Sequence, residues 1–446
     1  MFENLVAQPA ADQLVEDIRS SALPSSLLFQ GPSASGKGTA ALELARVLSC
    51  ENPQAPWNCT CSACTLHRTL SHPDLLLLGS RPFSSEISAS AAAFVRESES
   101  SARLLFLRSL KKLTARFAST LWEGEEAKLN KAAALVVTIN EMIEDLENLF
   151  ESPTVSQSLI PRLKETTNPE DLVNLVEKIK NTAIKLEADG IGDTIPISQV
   201  RRASYWARLA PVGKRKLLVL ENADRMQDSA RNALLKILEE PPETSVVVLT
   251  TERRGAILPT ILSRLRPYQF SRRESAKELE VIRRVFRDNA GAEALGATAD
   301  PWGSSKITAY LESFLPISPA LINQAAAFFA HSIFNNASYG AEIKEKFFQN
   351  PSKSDFSADS REVVGRVLKM MDNFTIRSLF PLFLERVLRN VEPLLREPLL
   401  GAPMAVVADQ WRQAIRTADV AVGTYNQNPS LALEALFIRL TEKNGV

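Results

Sequence analysis

The stretch Gly31 to Thr39, GPSASGKGT, carries residue types suited to holding phosphates. In such a loop glycines let backbone N–H groups turn inward. A lysine meets the outer phosphates, and a hydroxyl directly after it binds magnesium. Gly31, Gly36 and Lys37 fill three of these places, between the apolar run SSLLFQ and the amphipathic AALELARVL. The fourth place differs: Gly38 follows the lysine, and the hydroxyl arrives one position late, at Thr39. The spacing predicts a strand, a nucleotide-binding turn and a helix, with the magnesium ligand out of its slot and little hydrolysis.

All 4 cysteines fall in one short segment, Cys50, Cys59, Cys61 and Cys64. A disulfide framework would spread its cysteines along a small secreted chain. Four clustered thiolates suit tetrahedral zinc in a structural role. Cys59 and Cys61 are close for one ion, which leaves His67 as a reserve fourth ligand.

A second group of chemistry-bearing residues follows far along the chain. Leu217 to Leu220 read as a buried parallel strand, and the residues at its end are Glu221 and Asn222. Acids at that place beside a phosphate loop hold magnesium and polarise water. Asn222 cannot accept a proton, so the water-activating carboxylate is missing. A helix is expected from about Asp228 to Glu240, closed by Pro241 and Pro242. The strand SVVVLTT then ends in Thr250 and Thr251, where a side chain could sense a terminal phosphate. Arg264, on the loop beyond, could reach a neighbouring subunit's phosphates as an arginine finger.

The elements that must carry these residues belong to a long, ordinary chain. Its 446 residues hold 52 basic and 52 acidic side chains, so net charge is zero and gives no general pull toward nucleic acid or membrane. No apolar run reaches the ~18 residues of a membrane span, and the start lacks a signal-peptide plan. A cytoplasmic location is expected. Between residues 86 and 192 the apolar spacing is helical, as in Phe106, Leu110, Leu113 and Phe117, then Ile139, Met142, Leu146 and Leu149, then Leu172, Val176, Ile179, Ala183 and Leu186. Pro153, Pro161 and Pro169 separate the later segments. Lys111, Lys112, Glu144 and Glu147 read as solvated faces of this helical bundle, which either packs on itself or docks a partner. Past Phe270 the pattern is helical throughout, with a polar loop from Asn350. The basic groups Arg201–Arg202, Lys214 to Lys216 and Arg253–Arg254 could face DNA.

GKGT taken alone resembles the loop of nucleoside monophosphate kinases. The order of all the blocks instead resembles the AAA+ clamp-loader subunits of bacterial DNA polymerase III. The blocks are the loop, the cysteine knuckle, HPD at His72 to Asp74, IPISQVRR from Ile195, ENAD from Glu221, NALLKILEEPP from Asn232, TILSR ending at Arg264, and NQNPSLALEALFIRL from Asn426. Members of that family usually space the middle cysteines one residue wider, carry a cysteine where Leu265 stands, and lack the helical insertion.

The resemblance implies an α/β AAA+-like parallel-sheet core over residues 1–270, with a zinc knuckle at 50–67 and the insertion at about 86–192. A helical lid (271–335) and a helical collar (336–446) follow. Gly38 and Asn222 fit the delta-prime branch, which implies a largely non-hydrolysing subunit. ATP or ADP would rest against Gly31, Gly36, Lys37, Gly38, Thr39, Glu221, Asn222, Thr250 and Thr251, with little role for magnesium. Arg264 would act in trans on an adjacent motor subunit. Implied partners are the gamma/tau and delta subunits, the sliding clamp and, through the complex, primed DNA. The alternatives are an ATP-hydrolysing gamma/tau-like motor, with Thr39 and Glu221 standing in for the displaced ligands, and a zinc-bound adaptor outside any loader.

Overall fold

Short apolar runs form β1 (Ser26–Gln30), β2 (Leu75–Gly79), β3 (Lys216–Glu221) and β4 (Ser245–Thr251) of the central sheet, and the polar β5 (Arg266–Gln269) completes it. All pairings are parallel, in the order β2-β3-β4-β1-β5. Parallel strands are covered on both faces, so alternate residues feed two cores. Leu27, Phe29, Leu77, Leu217, Val219, Val246 and Val248 face α1 (Pro9–Arg19) and α2 (Lys37–Ser49). Their neighbours Leu28, Leu76, Leu78, Leu218, Leu220, Val247 and Leu249 face α9 (Ile197–Arg208) and α10 (Asp228–Glu239). Strand β5, RPYQ, takes the edge, where Pro267 costs no ladder bond.

The computed structural model describes all residues except 98–99, 151–167, 193, 298–304, 338–356, 372–375, 396–400, 424, 426 and 442–446. Pro153, Pro161, Asn426 and most of the polar stretch from Asn350 therefore lie outside the described residues. Pro169 does not merely separate segments: it is the first helical residue of α8 (Pro169–Gly190), capped by the Asn168 side chain.

The insertion is a helical bundle with a core of its own. Helices α4 (Ser84–Arg96), α5 (Ser100–Thr114), α7 (Glu126–Asn148) and α8 converge on Phe94, Phe106, Leu110, Ile139, Val176 and Ile179, all fully buried. A 3-10 turn at Ala115–Phe117 and the short α6 (Ser119–Trp122) connect α5 to α7. The opposite face of α4, at Ala89 and Ala93, packs on α12 (Ser275–Phe286), α13 (Asn289–Ala297) and α14 (Lys306–Glu312) through Ile282, Phe286, Ala292, Ile307 and Tyr310. Arg96 strengthens that contact with a 2.9 Å ion pair to Asp288.

The chain divides into two compact units, Met1–Phe314 and Leu315–Val446. The second is helical in its described residues: α15 (Pro319–Asn336), α16 (Ser360–Met370), α17 (Ile376–Leu395), α18 (Gly401–Gly423) and α19 (Pro429–Thr441). Its core gathers Phe329, Phe334, Phe380, Phe383, Trp411 and Leu433.

Candidate functional site

The loop after β1 has the backbone that its glycines permit. Gly31 lies at φ 154°, and a Cβ there would come within 2.2 Å of the Phe270 carbonyl oxygen. Gly36 is left-handed, at φ 98°, and caps α2. Lys37 is buried, and its Nζ donates to the Gly31 and Pro32 carbonyl oxygens at 2.8 and 2.6 Å. Burial lowers its pKa, against the opposing pull of Glu252, Asp224 and Glu221. Among the described residues, Ser35 Oγ is buried without a hydrogen-bond partner. Arg273 crosses the loop and donates to the Ala34 and Val6 carbonyl oxygens at 2.9 and 2.7 Å.

The strand-end residues lie at the same carboxyl edge of the sheet. Thr39 is exposed. The Asn222 amide donates to the Ser80 carbonyl oxygen at 3.0 Å, and its backbone N–H donates to Thr250 Oγ1 at 3.1 Å. Asn222 sits at φ 52°, a left-handed conformation that asparagine tolerates. Thr251 Oγ1 donates to Asp224 at 2.8 Å, and Arg253 pairs with the same carboxylate. Both threonines are thus engaged within the protein.

Glu221, at the end of β3, is ion-paired. Arg81 Nε lies 3.1 Å from Oε2, and Arg116 Nη2 donates to that same oxygen. Arg81 also holds Glu86 at 2.9 Å, and Lys112 pairs with the other Glu86 oxygen. This corrects the reading of Lys112 as a solvated charge, since its side chain is 18% exposed and ion-paired. Glu144 and Glu147 are exposed as expected. Arg81 and Arg116 escaped sequence reasoning. Their one trace is that Arg108, Lys112 and Arg116 recur every fourth residue, one edge of a helix.

Arg264 follows the short helix α11 (Pro259–Leu262). It is 34% exposed, and its guanidinium donates to Thr260 O at 2.7 Å and to Glu239 Oε1 at 2.8 Å. Among the basic groups, Lys216 is buried over the Trp206 ring, Lys214 donates to the Cys50 carbonyl oxygen, and Arg202 pairs with Glu123.

All four cysteines come together, with their sulfurs within 4.8 Å of one another. Four thiolates at about 2.3 Å from one zinc ion stand about 3.8 Å apart, and Cys50 and Cys59 are 3.6 Å apart. The donor set fits a structural zinc ion. His67 is not part of it. Its Nε2 bonds Ser49 Oγ at 2.9 Å, and its ring stacks on His72 at 4.1 Å. Burial and the neighbouring His72 hold the His67 pKa at about 3, so the ring is neutral. Buried Arg46 braces the cluster: it donates to Cys64 Sγ at 3.1 Å, to both Glu43 oxygens, and to the Ala55 and Pro56 carbonyl oxygens. The HPD block is structural as well, since Asp74 accepts the Val212 and Gly213 N–H groups at 2.9 and 2.6 Å.

A five-stranded parallel sheet with a glycine-rich turn between β1 and the following helix, and with acids and threonines at neighbouring strand ends, defines a parallel α/β domain. Within it, the chain belongs to the family described as "DNA polymerase III, delta subunit", which matches residues 6–274, more than half its length. It is 36% identical over 125 residues to DNA polymerase III subunit delta' of Pseudomonas aeruginosa, covering 28% of this chain and 38% of that one. The Bacillus subtilis delta' subunit is 43% identical over 56 residues, 13% of this chain and 17% of its own. DNA polymerase III subunit gamma/tau of Mycobacterium tuberculosis is 31% identical over 112 residues, 24% of this chain and 19% of its own. The chain thus spans 38% or less of the length of these relatives.

Proposed function

We propose that this protein is the delta-prime subunit of a bacterial replicative clamp loader, acting in the cytoplasm. It assembles with gamma/tau and delta subunits that open the sliding clamp and place it on primed DNA. Its own nucleotide site turns over little or nothing. Arg264 instead stabilises the transferring phosphoryl group in an adjacent motor subunit. The helices after the sheet domain act as lid and then collar, with the second compact unit, Leu315–Val446, supplying the collar core. The cysteine knuckle holds zinc, and Gly31, Gly36, Lys37, Gly38 and Thr39 frame whatever nucleotide the loop retains.

The observation that carries this reading is an asymmetry. The chain's own site offers an amide at Asn222 where a water-activating acid would stand, and that amide is tied to Ser80. Arg264 lies at the surface and contacts Thr260, Ser263 and Glu239, none of them part of the chain's own loop.

The test is steady-state ATPase of the reconstituted loader. Arg264→Ala leaves the isolated chain folded and lowers turnover at the site it serves by about 10³-fold, the usual worth of a finger. Unchanged turnover in the complex removes the assignment. Hydrolysis by the purified chain, abolished by Lys37→Ala, would make it a motor subunit instead.

A further inference from the structure

The corner of the loop where magnesium would sit is where the residues and the implied ion disagree. Such a corner offers the ion a hydroxyl after the loop lysine and a strand-end carboxylate. Gly38 offers no oxygen from its side chain, and Glu221 already carries two guanidinium groups. The geometry goes further. A Cβ on Gly38 would meet Glu221 Oε1 at 2.9 Å, so a serine or threonine there would press on a carboxylate that cannot turn without leaving its arginines.

Neither arginine is a casual surface contact. Arg116 has a side chain 3% exposed, and Arg81 one 21% exposed. Both lie over the Phe83 ring, at 5.5 and 4.4 Å. Burial works to raise the Glu221 pKa, yet Arg81, Arg116 and Lys112 outweigh it and keep the carboxyl ionised. A divalent cation at Glu221 would have to displace both guanidiniums into a pocket that already holds Lys112, leaving Arg116 buried without its acid. Losing one partner of a buried pair is the strongly unfavourable case. Arg116 and Lys112 both come from the inserted helical segment.

We propose that Arg81 and Arg116 take the place of the magnesium ion at Glu221, and that the insertion holds Arg116 there. The loop therefore accepts a di- or triphosphate without a divalent metal. This rests on reading residues 31–39 as a phosphate loop, as in the function proposed above.

The experiment uses the full zinc-loaded chain. Manganese, in place of magnesium, is titrated with ADP present and followed by electron paramagnetic resonance. The expected result is no stoichiometric manganese, and ADP affinity within twofold with and without magnesium. One manganese per chain that disappears in Glu221→Gln, or a tenfold gain in ADP affinity from magnesium, overturns the proposal. A thermal-melting cycle of Arg116→Met, Glu221→Gln and the double variant decides independently of ADP. The Arg116→Met loss of several degrees should be recovered in large part by adding Glu221→Gln, and additive losses overturn the proposal. Arg81→Gln replaces Arg116→Met if the latter does not fold. Loader ATPase that depends on Arg264 while manganese binds at Glu221 would leave the finger standing and remove only the metal substitution.

Discussion

Arg46 ties the cysteine cluster to the rest of its domain. Its guanidinium reaches Cys64, Glu43 and two knuckle carbonyls at once, so positive charge and loop shape are fixed by one side chain. Four thiolates around one Zn²⁺ leave net negative charge, which a buried arginine offsets. Metal analysis should find one zinc per chain, lost in Cys61→Ser and Cys64→Ser and retained in His67→Gln. Arg46→Met keeps every ligand but weakens zinc affinity about 10–100-fold, measured by competition with a chromophoric chelator. A chain purified with no zinc would remove this site. The cluster was legible from its spacing. The exclusion of His67 was not, because it depends on Ser49 and His72 holding the ring away from the sulfurs.

Among the elements, α5 and the turn after it show where sequence reasoning stops. Apolar spacing places the helix and its buried face, and Phe106, Leu110 and Leu113 lie in the core as that spacing requires. The cations at 108, 112 and 116 follow the same periodicity as a solvated face. What distinguishes them lies elsewhere in the chain: the His67 and Arg68 carbonyl oxygens for Arg108, Glu86 for Lys112, and Glu221 for Arg116. Strands β1, β3 and β4 were legible for the opposite reason, because burial on both faces leaves nearly unbroken apolar runs, whereas β5, RPYQ, buries only Tyr268 and gave no such signal. Burial would raise the Glu86 pKa, but Lys112 and Arg81 hold it at about 2. Because that folded value lies below the unfolded one, the pair's stabilisation is present above about pH 4.5 and is lost as pH falls toward 2. Lys112→Met lets the Glu86 value rise, so the acid-unfolding midpoint by circular dichroism should move to higher pH. An unmoved midpoint would mean that the pair contributes nothing.

At the scale of the whole chain, the helical bundle interrupts the sheet between two strands that must pair. Gly79 is in register with Glu221 across that gap. Closing so long a flexible loop costs entropy that grows with the logarithm of its length. The bundle removes most of that cost once formed, because its two ends meet. Ser80 Oγ donates to Gly192 O at 2.7 Å, and the Phe83 N–H donates to Glu187 at 2.9 Å. The strand it delivers, β2, is an edge of the sheet. Pairing of β2 with β3 is therefore expected to follow bundle closure in time. Pulse-labelled hydrogen exchange during refolding should protect amides of α5 and α8 before those of Leu76 to Leu78. The segment that brings Arg116 to Glu221 in the finished protein also draws together the ends of two strands that must pair.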